Sequence, residues 1–325
     1  MKGKYTKELR LFAIFVILFL FFAIMSPDRF LTRNNIMTML KQMPELGLLT
    51  IAIMLVILTK GNNLSNVATA ILSSILSALV MAGLYDKGHG AVLSICVGLL
   101  AGFVSAMLCG VLNGIFVAYI GVASMLTTLA SSTFFKGISM NITQGRAISG
   151  FPEQVYGLSR TYFVGIPILC WIYVICIVIV HIMLEHTRWG RTVYMLGCNM
   201  NATEYAGVKV KKELLKVYLL SAALSFVGGF LMISRYNSAK VDYGSSYLLQ
   251  SLTASVLGGV DISGGNGSVI GAVIAVMILQ VLSSGMNILN VNRFFTDIIT
   301  GAILIFVLAL NFVFHKINAK RITKQ

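Results

Sequence analysis

Charge is what this sequence has least of. Lysine, arginine, aspartate and glutamate make up 11% of its 325 residues, where a soluble protein carries roughly 25%. No stretch has the composition of a separate soluble domain, so residues 1–325 read as one membrane domain. Histidine is scarce as well, at four residues. His181, Glu185 and His186 come close to a zinc motif, but three residues separate His181 from Glu185 where H-x-x-E-H has two. No metal site is expected. Of the five cysteines, Cys96, Cys109, Cys170 and Cys176 fall in apolar runs and Cys198 in a basic stretch. No two have the spacing of a metal or disulfide pair, which leaves them as small packing residues. G-x-x-x-x-G-K-[ST] is missing, so the chain does not hydrolyse nucleotide by a P-loop. Gly265-x-Gly267-x-x-x-Gly271 follows no strand and opens an apolar run, which excludes a dinucleotide loop. The apolar runs do not alternate with polar residues, so a β-barrel is excluded too.

What remains is an all-α polytopic membrane protein with about ten transmembrane helices, no catalytic residues and no cofactor. The apolar runs are long enough to cross about 30 Å of hydrocarbon. They lie at about 11–26, 45–59, 64–84, 91–120, 123–140, 164–184, 217–234, 247–259, 268–286 and 295–314. The first follows Lys2, Lys4, Lys7 and Arg10 without a small-x-small cleavage site, so it reads as an uncleaved span. Residues 28–43 mix apolar Phe30, Ile36 and Leu40 with polar Arg33, Asn34 and Lys41, the pattern of a helix lying on the membrane surface. Run 91–120 is too long for one bilayer crossing, so a break is expected near Gly110–Gly114. Between the spans' ends charge is nearly absent, with Lys136 and Asp297 near helix termini. A proton- or sodium-driven carrier needs buried carboxylates, so this absence favours a neutral polar cargo and an external energy source.

The formal net charge is +14. Its basic residues are not grouped with aromatics on a soluble surface, so nucleic acid is not a partner. In a membrane protein such residues mark cytoplasmic loops. Residues 1–10, 185–216 and 314–325 hold 14 of the 25 Lys and Arg, and an even number of spans would put all three in the cytoplasm. The 185–216 loop also contains a short helix. Asn201 is expected to cap it, Glu204 to answer that cap, and Gly207 to end it in a left-handed conformation. A docking element and an ordinary solvated loop both fit.

Gly98, Gly102, Ala106, Gly110 and Gly114 recur every four residues, a stripe along which another helix can approach closely. Two polar, glycine-containing interruptions, Lys60–Asn66 and Gly258–Ser268, align loosely at Asn63-Leu64-Ser65 and Asp261-Ile262-Ser263. Paired interruptions are the trace of a weak internal duplication, and two tight turns would produce the same pattern.

Several stretches resemble the permease subunit of bacterial sugar ABC importers, the branch with the ribose, xylose, arabinose and galactoside permeases. Residues 254–271, ASVLGGVDISGGNGSVIG, are similar to its A-x-V-L-G-G-x-S-L-x-G-G-x-G-S-x-x-G signature. Residues 190–210 resemble its cytoplasmic G-R-x-x-Y-A-x-G-x-N segment, Gly145–Gly150 its G-R-x-I-S-G loop, and Asn113-Gly114 its N-G element. The likeness covers nearly the whole chain. It implies a multi-pass protein of the bacterial plasma membrane, with both termini cytoplasmic. It also implies an ABC ATPase partner, an extracytoplasmic solute-binding protein, and a second permease chain forming a homodimer or a paralogous heterodimer.

Under that resemblance Asn201, Ala202, Thr203, Glu204, Tyr205, Ala206 and Gly207 form the coupling helix. The signature glycines Gly258, Gly259, Gly264, Gly265, Gly267 and Gly271 are structural. Polar residues at membrane depth, Asn62, Asn63, Ser65, Asn66, Asn113 and Gln250, are candidates for the cargo path or for helix-to-helix hydrogen bonds. There are departures. Asn63 stands where the family has aspartate, and Leu249 and Gln250 stand near its usual acidic pair. A cargo other than ribose, such as a nucleoside or a sugar-derived signal, is therefore an alternative, as are a stand-alone secondary transporter and an intramembrane enzyme.

Overall fold

The computed structural model describes residues 2–292 and, beyond them, residues 294, 295, 298, 299, 301–303 and 305. The expected span 295–314 and the basic tail lie mostly or wholly outside the described residues.

The described residues are helical nearly throughout. In order the helices are α1 (Lys2–Met25), α2 (Pro27–Phe30), α3 (Arg33–Leu58), α4 (Asn66–Asp86) and α5 (Ala91–Gly114). They continue with α6 (Ser124–Thr143), α7 (Glu153–Arg160), α8 (Ile168–His186), α9 (Arg188–Cys198) and α10 (Met200–Tyr205). The last are α11 (Val210–Tyr236), α12 (Tyr247–Leu257) and α13 (Val269–Ile288). A two-residue hairpin, β1 (Tyr162–Phe163) with β2 (Ile166–Pro167), separates α7 from α8.

Among the described residues seven helical segments are long and apolar enough to cross a membrane: Glu8–Met25, α3, α4, Ala91–Ile120, α8, α11 and α13. Two further expected spans fall on helices of a different kind. α6 has the length but carries many serines and threonines, and α12 is only 11 residues long. Among the described residues the count of ten is not confirmed, because the tenth expected span lies mostly outside them.

Two expectations are corrected. Residues 28–43 are not a separate surface helix, because α3 runs unbroken from Arg33 through Pro44 to Leu58. Thr32 begins it by accepting a hydrogen bond from the Asn35 amide. Two polar residues of its first half meet α13. Asn35 accepts from Ser284 Oγ at 2.8 Å, and Gln42 accepts from Gln280 Nε2 at 2.8 Å. The second correction concerns residues 91–120, which do not break at Gly110–Gly114. The helix changes to π geometry over Ile115–Ile120, and Gly121 ends it with φ +84°.

α3 is the central post, with every residue from Pro44 to Leu58 buried. α11, α12, α13 and α8 pack around it, and α4 and α5 pack on α11. In lipid the hydrophobic effect does not drive helices together, so close backbone approach and interhelical hydrogen bonds must do so. The glycine stripe supplies the approach. A Cβ on Gly98 or Gly102 would sit 2.9 Å from Ser77 O or 2.8 Å from Ser73 O on α4. On Gly110 it would sit 2.8 Å from the Ala222 methyl on α11.

Candidate functional site: a polar cavity and a docking face

Halfway along α3 a carboxylate is buried at membrane depth. Glu45 is fully buried. Its Oε1 accepts from Arg235 Nε, and its Oε2 accepts from Arg235 Nη2 at 2.9 Å and from the Tyr247 hydroxyl at 3.2 Å. This fork joins α3 to the end of α11 and the start of α12. Two charges in lipid each cost several kcal/mol, and pairing them in a two-pronged geometry is what makes their presence tolerable. The expectation of spans nearly free of charge is thereby corrected. Glu45 stood at the edge of a span drawn from residue 45 and Arg235 just beyond another. The continuous α3 places Glu45 midway along a membrane-crossing helix.

Arg235 is also one wall of a cavity of about 290 Å³ between α3, α11, α12 and α13. Gln42, Ser246, Tyr247, Gln250 and Gln280 supply further polar groups, while Leu46, Leu279 and Val291 supply apolar surface. The Arg235 guanidinium lies over the Tyr236 ring at 4.1 Å, and that ring stacks on Tyr243 at 4.4 Å. Such a mixture suits a small cargo with hydroxyl edges and carbon faces.

Of the six sequence candidates for the path, Gln250 lines this cavity. The others tie helices together. Asn63 Nδ2 donates to Ser221 Oγ at 3.0 Å and Ser221 Oγ donates to Ala52 O at 2.7 Å, which links the α3–α4 loop to α11 and α3. Ser65 Oγ donates to Asn63 Oδ1 and accepts from Asn113 Nδ2, each at 2.8 Å. Asn66 Nδ2 donates to Leu49 O, and Asn62 is held through its backbone by Ser124 and Thr128.

The second feature is at one end of the bundle, where the two glycine-containing interruptions meet. Gly265 N donates to Leu58 O at 2.9 Å. A Cβ on Gly197, in α9, would lie 1.9 Å from Leu58 O and 2.2 Å from Gly265 N. Three backbones thus converge where a side chain cannot fit. Gly264 and Gly265 adopt φ of +82° and +74° there. Gly258 and Gly271 let the end of α12 cross the start of α13, since a Cβ on Gly271 would be 2.1 Å from Gly258 O. Gly267 packs against Leu58 and Val260, and Gly259 turns with φ +87° in open space. Tyr194 of α9 donates its hydroxyl to Gly267 O at 3.1 Å. Burial first, and then nearby Glu185, push this phenol well above the ordinary tyrosine range, so it stays protonated and keeps donating. Glu8 of α1 accepts from Ser268 Oγ at the same end.

α10 projects from this junction. Its cap is Asn199, whose side chain accepts from the Ala202 amide at 3.1 Å. The expected cap, Asn201, is instead an exposed residue inside the helix. Asn199 has the extended backbone a cap requires, φ −159° and ψ 106°. The end of the helix is as expected: Gly207 has φ +82°, its amide bonds Glu204 O, and Val208 N bonds Thr203 O. That pair of bonds is a Schellman motif. Thr203 is buried, Glu204 and Ala202 are exposed, and Tyr205 is 92% exposed. Leu196, Leu214 and Ala118 form the small core that seats α10 through Met200.

The chain is 34% identical over 299 residues to the Bacillus subtilis ribose import permease protein RbsC, covering 91% of this chain and 89% of that one. The Escherichia coli protein of the same name is 30% identical over 287 residues, 86% of each chain. The autoinducer 2 import system permease protein LsrD of Salmonella paratyphi A is 27% identical over 310 residues, 94% of this chain and 91% of that one. No solved structure matches. The family described as "Branched-chain amino acid transport system / permease component" matches residues 35–308, and the chain belongs to that family.

Proposed function

We propose that this chain is the membrane-spanning subunit of an ATP-driven sugar importer, with its cargo passing through the Arg235–Gln250 cavity and its energy arriving through α10. The observation that carries this reading is α10 itself. It is a short capped helix, exposed from Ala202 through Tyr205 except for Thr203, built onto a junction where α3, α9 and the 258–268 loop touch backbone to backbone. A partner pushing on α10 would move the ends of the helices that wall the cavity. Tyr205, an aromatic side chain left almost fully in water, is the kind of residue that anchors partner proteins. The family supports an ABC ATPase and a solute-binding protein as partners; in this reading the ATPase sits on the α10 face and the binding protein on the opposite face, near the β1–β2 hairpin. A second permease chain, identical or paralogous, completes the pair. The excess of Lys and Arg in the 185–216 loop supports a cytoplasmic position for that face and for the N-terminus.

The cargo is a neutral monosaccharide or a sugar-derived molecule, since ribose and autoinducer 2 are the cargoes named for the relatives. The cavity's amides and hydroxyls support the same class. Buried Glu45 would also suit a proton-coupled carrier, but Arg235 and Tyr247 engage both of its oxygens.

The test is uptake by proteoliposomes holding the chain with its ATPase and binding protein. Labelled ribose or another monosaccharide should accumulate only with ATP. Uptake without the ATPase, driven by a proton gradient, would replace this reading by that of a secondary carrier. Thermal-shift screening of the binding protein against pentoses, hexoses, nucleosides and autoinducer-type sugars would name the cargo.

A further inference from the structure

Among the described residues that line the cavity, Arg235 is the one permanent ion. A lone guanidinium on a wall at membrane depth would be a strong anion site, because little water screens it and it can bind a carboxylate or phosphate with two parallel hydrogen bonds. Glu45 prevents that. It sits wholly behind Arg235, 0% exposed against 16% for the arginine side chain, and takes two of its nitrogens, Nε and Nη2. The Tyr247 hydroxyl donates to the same carboxylate, at Oε2, and is itself a cavity residue. Stacking on Tyr236 holds the guanidinium plane against the wall. The cavity therefore presents an arginine's shape and donors while its net charge is cancelled.

We infer that Glu45 is a specificity-determining residue: by neutralising Arg235 it makes the cavity reject anions and accept uncharged, hydroxyl-bearing cargo. The inference rests on reading this cavity as the cargo path. It assigns Glu45 a role through Arg235, without contact to cargo, so it is a positioning residue. Its effect is selective. Loss of the carboxylate should create affinity for sugar acids and sugar phosphates where none existed, and a purely structural role would not do so.

The experiment is thermal unfolding of the full chain in detergent with gluconate or, as the uncharged control of equal carbon number, glucose. Wild type should show no shift specific to gluconate. Glu45→Gln should gain a gluconate-specific rise of about 3 °C, as expected if ligand occupies the site at roughly tenfold its Kd. Glu45→Gln/Arg235→Gln should lose it. If Glu45→Gln does not fold, Glu45→Ala solubilised with formate decides. Formate, a carboxylate small enough to replace the missing one, should stabilise that variant and not wild type. A gluconate shift in wild type, a flat response in folded Glu45→Gln, a response that survives removal of Arg235, or absence of formate rescue would each overturn the inference. The readout needs neither ATPase nor binding protein. Its failure therefore leaves the importer reading standing, and failure of ATP-dependent uptake leaves the anion-binding result standing.

Discussion

Ser221 shows how a single hydroxyl holds this molecule together. It accepts from Asn63 and donates to Ala52 O, so one fully buried side chain connects three segments of backbone. Replacing it with alanine strands the Asn63 amide and removes the second bond to the Ala52 carbonyl. Interhelical hydrogen bonds in membranes are worth about 0.6 kcal/mol on average and up to about 1.7. Ser221→Ala should therefore cost about 1–2 kcal/mol in reversible detergent unfolding, and Ser221→Thr, which keeps the hydroxyl, should cost less. Equal losses for the two would show that volume, not hydrogen bonding, matters at this position. Gly197 is the harsher case. A methyl there would overlap Leu58 O and Gly265 N, both backbone atoms that cannot swing aside. Gly197→Ala is expected to separate α9 from α3, with an overpacking cost of about 1–3 kcal/mol and a fall in sugar-stimulated ATP hydrolysis by the assembled transporter.

At the scale of the element, α10 can be disturbed without touching its neighbours. Gly207 has open space around its Cα, so a side chain there meets nothing. The obstacle is its φ of +82°, which costs an L-residue about 1–2 kcal/mol and would unwind the Schellman turn. Gly207→Val should leave the protein inserted and its unfolding midpoint nearly unchanged, while transport coupled to ATP hydrolysis is lost. Gly207→Asn, which tolerates the left-handed region, should keep most of it. Coupled turnover at the wild-type rate in the valine variant would remove α10 from the coupling path. The two elements most visible in the sequence were this helix end and the Gly98–Gly114 stripe, because a glycine after a short polar helix and a four-residue period both arise from local geometry. The start of α10 was less visible. Asn199 and Asn201 both have the right chemistry, and only the extended backbone at Asn199 decides between them.

At the scale of the whole molecule, legibility followed the distance between partners. Apolar runs disclosed the helical class and most spans, since crossing a bilayer is a property of one segment. The continuity of α3 was hidden because Asn35 and Gln42 look like a water-facing surface until Ser284 and Gln280 come to meet them. The Glu45–Arg235 fork was hidden for the same reason, its partners lying 190 positions apart in sequence. The cavity followed from neither period nor motif, as it is walled by four helices drawn from both halves of the chain.

The same assembly brings Glu8, Leu58, Gly197, Cys198 and Gly265 to one end of the bundle, and it thereby supplies a native probe of orientation. Cys198 is exposed beside the α10 cap, while Cys109 and Cys170 are buried. Cys96 is exposed too, but on α5 within the membrane-crossing segment, where a water-soluble maleimide does not reach. If the α10 face is cytoplasmic, an impermeant maleimide should label Cys198 in inside-out vesicles and not in right-side-out cells, with the modified peptide identified by mass spectrometry. Bound ATPase should slow that labelling, since a subunit seated on α10 covers the neighbouring thiol. Labelling from outside would invert the topology and move the docking face away from the source of ATP. Labelling from inside that the ATPase does not slow would keep the topology and separate Cys198 from the docking footprint. The two readouts thus test the side of the membrane and the place of contact independently, on an unmodified chain.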